Sequence, residues 1–253
     1  MTEFSAENLQ KDAFLGGKLH LWQPVKGYRA GVDPVLLAAS VPAKPGQTVL
    51  DLGCGAGAAA LCLGVRVAQL QLYGVEREPA YAALARRNGL EAAQDFTVTQ
   101  ADLAQMPAPL RAMSFDHVIS NPPYYDRAHG TAAPDRVREA ALGEDLPLAE
   151  WIGIGARRVK PRGYLHLILK ADRLADALSA MNSCLGSLEV LPLAPRVDRA
   201  AELVLMRGRK EGRAPLKLHA PLILHRGADH PGDKDHYTKV VSDVLRCGAP
   251  ITY

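Results

Sequence analysis

The segment Asp51-Leu52-Gly53-Cys54-Gly55-Ala56-Gly57 constrains this chain of 253 residues more than any other. It joins a short apolar run at 47–52 to an alanine-rich stretch at 58–68 that carries Leu61, Leu63, Val65 and Val67. Glycine lets a backbone turn sharply and approach a ligand where a Cβ would clash. The helix predicted at 58–68 turns unpaired N–H groups and the positive end of its dipole toward that turn. Strand, glycine turn and helix in this order open a doubly wound α/β fold, with a ligand expected at the turn.

The following residues continue the alternation. Gln71–Glu76 reads as a second strand ending in an acid, and Pro79 stands at a helix start, where its missing N–H costs nothing. That helix carries Tyr81, Leu84 and Ala85 at helical spacing and stops near Gly89. Phe96–Thr99 and Phe115–Ser120 are predicted strands, 148–159 a helix, Tyr164–Leu169 a buried strand and 172–182 another helix. Such alternation predicts βαβ units and a mainly parallel sheet. Beyond 186, Leu188–Leu191, Glu202–Arg207 and Leu222–His225 are strand-like without a long helix between them, which predicts antiparallel closing strands. Residues 226–236 are polar and rich in breakers, as in a loop.

Two acids fall in register with the glycine turn. Glu76 lies 21 residues beyond Gly55, where doubly wound folds place an acceptor for ribose hydroxyls. Asp102, just after the third strand, is placed to meet the amino group of an adenine; equally, aspartate at such a point caps a turn. Gly53-x-Gly55-x-x-Ala58 loosely fits the dinucleotide fingerprint, so a nicotinamide nucleotide is a rival ligand. Against it stand Asp51, immediately before the turn, and the residues that follow the fourth strand.

Those residues are Asn121-Pro122-Pro123-Tyr124. They open at the carboxyl edge of the sheet, where α/β folds bind ligands. Two prolines stiffen the chain and remove two donors, while their carbonyls remain acceptors. With the Asn121 side-chain oxygen this makes two acceptors on a rigid frame, beside the aromatic face of Tyr124. The set suits a conjugated nitrogen whose lone pair is delocalised. Acceptors on its N–H bonds, the Asn121 side chain and the Pro122 carbonyl, favour a pyramidal nitrogen, and Tyr124 stacks the ring. No strong base is required, because the nitrogen becomes acidic once alkylated; positioning and electrostatics carry such a reaction.

With both loops in view, the chain resembles the class I S-adenosylmethionine-dependent methyltransferases. More narrowly it is similar to the bacterial tRNA1(Val) adenine-37 N6-methyltransferase family. The likeness spans roughly 14–210 and rests on the segment Gly27–Ala38, on Asp51–Gly57, on Glu76 and on Asn121–Tyr124. It implies a Rossmann-like fold with a seven-stranded, mostly parallel sheet and a reversed last strand. It implies S-adenosyl-L-methionine as cofactor, its methionine carboxylate at the helix N-terminus. The cofactor set is then Arg29, Asp33, Asp51, Gly53, Cys54, Gly55, Gly57, Glu76, Asp102 and Asn121; the catalytic set is Asn121, Pro122, Pro123 and Tyr124. Arg29 and Asp33 enter as lid contacts, although Val35, Leu36, Leu37 and Ala38 read as well as a packed helix face behind Asp33-Pro34. One domain, 1–253, is expected: a cofactor lid or substrate segment at 1–46, the Rossmann-like core at 47–210 and a C-terminal extension at 211–253.

The expected reaction is N6-methylation of an adenine in RNA, in a tRNA anticodon loop. Relatives with the same loop methylate a glutamine amide in release factors or an adenine in DNA, and methylation of a ribosomal RNA base is a further alternative. Arg157, Arg158, Lys160 and Arg162 cluster near the fifth core strand, and Arg196, Arg199, Arg207, Arg209, Lys210, Arg213 and Lys217 crowd the last third. Concentrated positive charge fits phosphate contacts, although solvated faces also collect it. Arg136 and Arg138 are candidates for the mouth of a substrate channel. The base has to leave its stack to reach Asn121, which is cheapest in a single-stranded loop.

Other classes find little support. His225, His230, Asp233 and His236 match no metal-site spacing, and no metal is expected. Cys54, Cys62, Cys184 and Cys247 form no C-x-x-C pair and read as reduced thiols. No run of about 18 apolar residues occurs, and residues 1–5 lack the pattern of a secretory signal, so a cytoplasmic protein is expected.

Overall fold

The strand–helix alternation carries through in a computed structural model of the chain, which describes residues 4–123, 125–126, 143–144, 146–227 and 236–252. A hairpin of β1 (Leu9–Phe14) and β2 (Leu19–Pro24) precedes α1 (Asp33–Ser40). The core then runs β3 (Thr48–Leu52), α2 (Ala58–Arg66), β4 (Gln71–Glu76), α3 (Pro79–Glu91), β5 (Phe96–Gln100), α4 (Ala108–Ala112) and β6 (Phe115–Ser120). Two short paired strands follow, β7 (Tyr125–Asp126) and β8 (Gly143–Glu144). After them come α5 (Leu148–Arg158), β9 (Val159–Lys170), α6 (Leu174–Asn182), β10 (Gly186–Ala194), β11 (Leu203–Arg209), β12 (Lys217–Leu218), β13 (Leu222–Ile223) and α7 (Lys239–Cys247).

The central sheet has the order β12-β10-β11-β9-β6-β3-β4-β5, with β13 also on β10. From β5 to β9 every neighbour is parallel, and β11 is antiparallel to both β9 and β10. The reversed strand of a class I sheet is therefore present. The sheet nevertheless has nine strands rather than seven, because two-residue β12 and β13 extend it. Both run parallel to β10, which corrects the expectation that Leu222–His225 closes the sheet antiparallel.

Side chains leave each strand alternately to its two faces. Val49, Leu72, Ile119 and Ile168 pack with α1, α2 and α7, whereas Leu50, Leu52, Val75, Val118, Leu165 and Leu167 pack with α4, α5 and α6. Both faces are covered, which is why consecutive residues are buried and apolar in Val118–Ile119 of β6 and Leu167–Leu169 of β9.

Three features escape the sequence pattern. The hairpin's first strand, in which only Phe14 is buried, is too polar to announce itself. Strand β9 begins at Val159 rather than Tyr164. Pro161 and Arg162, the latter at φ +67°, lie inside it where its register with β6 shifts, and they imitate a turn. Helix α7 buries Val241 and Val244, with Thr238 as N-cap and Gly248 at φ +73° as C-cap. Residues 228–235 of the expected polar loop lie outside the described residues.

Candidate active site

The glycine turn folds as its composition requires. Gly53 and Cys54 donate their N–H groups to the Val75 carbonyl at 2.9 and 3.0 Å, tying the turn to the end of β4. Gly53 has φ +69°, and a Cβ there would lie 2.9 Å from the Trp151 ring. Gly57 has φ +87° as N-cap of α2, and a Cβ there would strike Phe96 at 2.8 Å. Buried Asn88 of α3 donates to the carbonyls of Ala56 and Trp22 and accepts from the Trp22 N–H, so one side chain joins the turn to the hairpin.

These elements wall a cleft of about 1240 Å³, counted to its open mouth, at the carboxyl ends of the parallel strands. Asp51, Gly53, Cys54, Gly55, Glu76, Asp102, Asn121, Pro122 and Pro123 all line it. Glu76 accepts from the Gly55 N–H through Oε2 and from the Glu78 N–H through Oε1, both at 2.8 Å. Burial holds its carboxyl above the usual range. Asp102 combines both roles weighed for it: it lines the cleft and accepts from the Ala104 N–H at 2.8 Å as a cap.

Three of the sequence candidates do not line the cleft. Arg29 lies outside, its guanidinium paired with Asp12 at 2.6 Å and bonded to Gln10, both on the outer hairpin strand. Asp33 begins α1, whose residues Pro34–Ser40 are all buried, so the packed-helix reading of this stretch is the one realised. Gly57 acts on the shape of the turn from behind the lining. Tyr124, Arg136 and Arg138 lie outside the described residues.

Among the described residues, two buried acceptors in the cleft wall have no hydrogen-bond partner: Asp51 Oδ2 and Asn121 Oδ1. An acceptor sealed from water without a donor costs roughly 1–3 kcal/mol. Burial lifts the Asp51 carboxyl to about 7, and nearby Glu76 adds to the rise. Two orphaned acceptors, one a carboxyl and one an amide oxygen, are complementary to two N–H donors. A nucleoside bearing an amino-acid tail, with an amine-bearing base next to it, meets that requirement.

Two aromatic residues of the site escaped the sequence reading. Tyr28 lines the cleft, and its hydroxyl accepts from Asn121 Nδ2 at 3.5 Å. Trp151 lines it from α5 and donates through Nε1 to Ser120 Oγ, which in turn donates to the Leu52 carbonyl. Tyr28 stands between Gly27 and Arg29 in a segment already singled out; Trp151 carried no signal, because aromatic residues on helices usually pack.

The family model for the methyltransferase small domain matches residues 30–142, a span that contains the glycine turn and the Asn121 loop. A solved structure described as a predicted O-methyltransferase from Agrobacterium tumefaciens is 28% identical, with TM-score 0.69 over 87% of this chain and 98% of that one. The chain therefore matches the methyltransferase small domain across its glycine turn and Asn121 loop and shares the Rossmann-like fold of these methyltransferases. Among curated relatives, a tRNA1(Val) (adenine(37)-N6)-methyltransferase from Actinobacillus succinogenes is 28% identical over 79% of this chain and 84% of that protein. One of the same description from Porphyromonas gingivalis is 35% identical over 58% of this chain and 61% of that protein. The T. thermophilus 16S rRNA N2 G1207 methyltransferase, solved with AdoMet and guanosine, shares the fold at TM-score 0.56 and 19% identity, over 80% of this chain and 50% of that one.

The basic residues separate in space. Arg157, Arg158, Lys160, Arg162, Arg209 and Lys210 gather where β9 starts and β11 ends, at the end of the sheet opposite the cleft. Arg196 and Arg199 lie in the β10–β11 connection at the cleft end, but Arg196 is buried, its guanidinium donating to the carbonyls of Arg226 and Gly227. Charge density along the sequence therefore overstated the positive charge beside the cleft. Of the residues weighed as metal ligands, His225 stacks on Tyr237 at 4.7 Å, and His230 and Asp233 lie outside the described residues. Among the described residues, no helix is long and apolar enough to cross a membrane.

Proposed function

We propose that this enzyme transfers the methyl group of S-adenosyl-L-methionine to the exocyclic N6 of an adenine in RNA, in a tRNA anticodon loop, and that it works in the cytoplasm. The observation that carries the reading is the unpartnered, buried Oδ1 of Asn121 in the cleft wall directly after β6. The names of the Actinobacillus and Porphyromonas relatives support the choice of base and RNA.

The cofactor supplies a methyl group on a positively charged sulfur. On the protein's side, Glu76 would hold the ribose hydroxyls and Asp102 the adenine amino group, while Asp51 Oδ2 would take the α-ammonium. Gly53, Cys54 and Gly55 allow the nucleoside to lie against the backbone. Asn121 Oδ1 and the Pro122 carbonyl accept the two N–H bonds of the target amine, which localises its lone pair, and Tyr124 stacks the base. As the new N–C bond forms and the S–CH₃ bond breaks, its electron pair staying with the departing neutral sulfur, the nitrogen turns acidic, and its proton leaves to water after passing these acceptors. Positioning supplies the rate enhancement.

The test uses tRNA from a strain lacking the gene. Incubation with the protein and labelled cofactor, followed by nucleoside mass spectrometry, is expected to yield N6-methyladenosine. Label appearing only in release-factor protein would establish the amide reading instead. Label in ribosomal RNA alone would reassign the substrate, and absence of transfer to any RNA or protein would overturn the proposal.

A further inference from the structure

An amide side chain has two ends of opposite character. Turned one way, Asn121 offers the target amine an acceptor; turned the other, it offers an NH₂ group that repels the amine's own N–H bonds and competes for its lone pair. The backbone does not choose between these states, since they differ by a half-turn of one side-chain torsion. Something in the cleft must choose.

We propose that Tyr28 is a positioning residue that selects the productive orientation of the Asn121 amide. This rests on the methyl-transfer reading above. The Tyr28 hydroxyl oxygen accepts from Asn121 Nδ2 at 3.5 Å, which leaves Oδ1 as the end without a protein partner. The hydroxyl keeps its proton: burial and the nearby carboxyls of Asp33 and Asp51 all push its ionisation above the ordinary phenol range. Because Asn121 Nδ2 is the donor in this contact, the phenol meets it with an oxygen lone pair and not with its own proton. Tyr28 is itself held in place, its backbone carbonyl accepting from the Tyr81 hydroxyl at 2.9 Å.

The chain of support runs from α3 through Tyr81 and Tyr28 to Asn121, and it crosses the cleft wall on which Asp51 also stands. A single hydroxyl thereby connects the segment before β3 with the loop after β6. Phenylalanine at position 28 keeps the ring and its packing and removes only the acceptor. Asn121 is then free to reverse.

Tyr28→Phe separates this role from simple lining of the cleft. The expected result is a fall in kcat of about tenfold, as for loss of orientation at a reacting group, with the KM for cofactor changed less than about twofold. A raised cofactor KM with kcat intact would make Tyr28 a wall of the cofactor site and overturn the proposal, as would wild-type kinetics. A second measurement needs no substrate. The Asn121 side-chain NH₂ resonances, assigned by their loss in Asn121→Ala, are expected to show nuclear Overhauser contacts to the Tyr28 ring in the wild type. In Tyr28→Phe the NH₂ resonances are expected to shift and their contacts to the ring at 28 to weaken. Absence of those contacts in the wild type overturns the orientation claim even where methyl transfer succeeds. Their presence without methyl transfer to RNA or protein refutes the functional reading instead.

Discussion

Buried with one oxygen unpartnered, the Asp51 carboxyl titrates near neutrality, at about 7. Its unfolded value is 3.8, so between 3.8 and about 7 the folded protein holds a proton that the unfolded chain has lost. In the cofactor-free protein, Asp51 therefore subtracts stability as pH rises through that window. A bound ammonium reverses the preference, because the ionised carboxylate is the form it pairs with. Cofactor affinity is thus expected to be about tenfold weaker at pH 6 than at pH 8, the change expected when one group titrating near 7 must lose its proton on binding. Asp51→Asn should bind more weakly at pH 8 and lose this pH dependence. Calorimetry across the range checks it, and a flat wild-type profile would remove Asp51 from the ammonium site.

At the scale of elements, β6 and β9 are joined by two buried histidines as well as by their backbones. His117 Nδ1 lies 3.1 Å from His166 Nε2, and His117 Nε2 lies 3.2 Å from Gln47 Oε1. The Gln47 oxygen only accepts, so His117 carries its proton on Nε2, and His166 donates from Nε2 to His117 Nδ1. Neither ring has room for a second proton: burial lowers His117 to about 4 and His166 well below its ordinary value. Above about pH 6.5 both folded and unfolded states are neutral here. As pH falls from there toward 4, the unfolded chain gains protons that the folded one refuses, and stability is lost. His117 alone accounts for about 2–3 kcal/mol between pH 7 and 4.5. Denaturant titrations of the wild type and His117→Gln/His166→Gln check this. The wild type is expected to lose at least that much relative to the variant, since His166 adds to the same loss, and parallel pH profiles would contradict it.

Legibility followed local physics. Strands β3, β4, β5 and β6 are readable because each is short, carries aliphatic, aromatic or β-branched residues, and ends at or just before a glycine, an acid or the Asn-Pro turn. Strand β1 and helix α7 were not, since their stability comes from what they pack on: Lys11 and Arg87 sit over Trp22, and α7 caps α1 with Val244. The cleft residues announced through special backbone needs, such as Gly53, or through rigid acceptors, such as Asn121, were found. Arg29, expected at the cofactor only from the resemblance of the Gly27–Ala38 segment, pairs instead with Asp12, seventeen positions away on β1, a contact that no local pattern announces.

The whole molecule is polar in the sense of having two ends. The cleft occupies one end of the parallel strands and most of the clustered arginines the other. Five residue steps separate Phe115, level with Val159, from Ser120, so the two ends lie about 17 Å apart along the strands. That exceeds the screening length of about 8 Å at physiological salt. Removing charge at the far end, as in Arg162→Gln/Arg209→Gln, is therefore expected to leave turnover at saturating RNA within about twofold of wild type, because the reacting atoms feel little of it. A tenfold fall in kcat under those conditions would mean that this surface acts on the chemistry itself.

The proposed reaction turns on one amide oxygen. Single-turnover methyl transfer by Asn121→Ala, measured beside its affinity for S-adenosylhomocysteine, tests it most directly. Affinity is predicted to stay within about threefold of wild type while the rate drops 100-fold or more, roughly the loss seen when a positioned stabilising group is removed. A rate within about tenfold of wild type, with the protein folded and the cofactor bound, would contradict it.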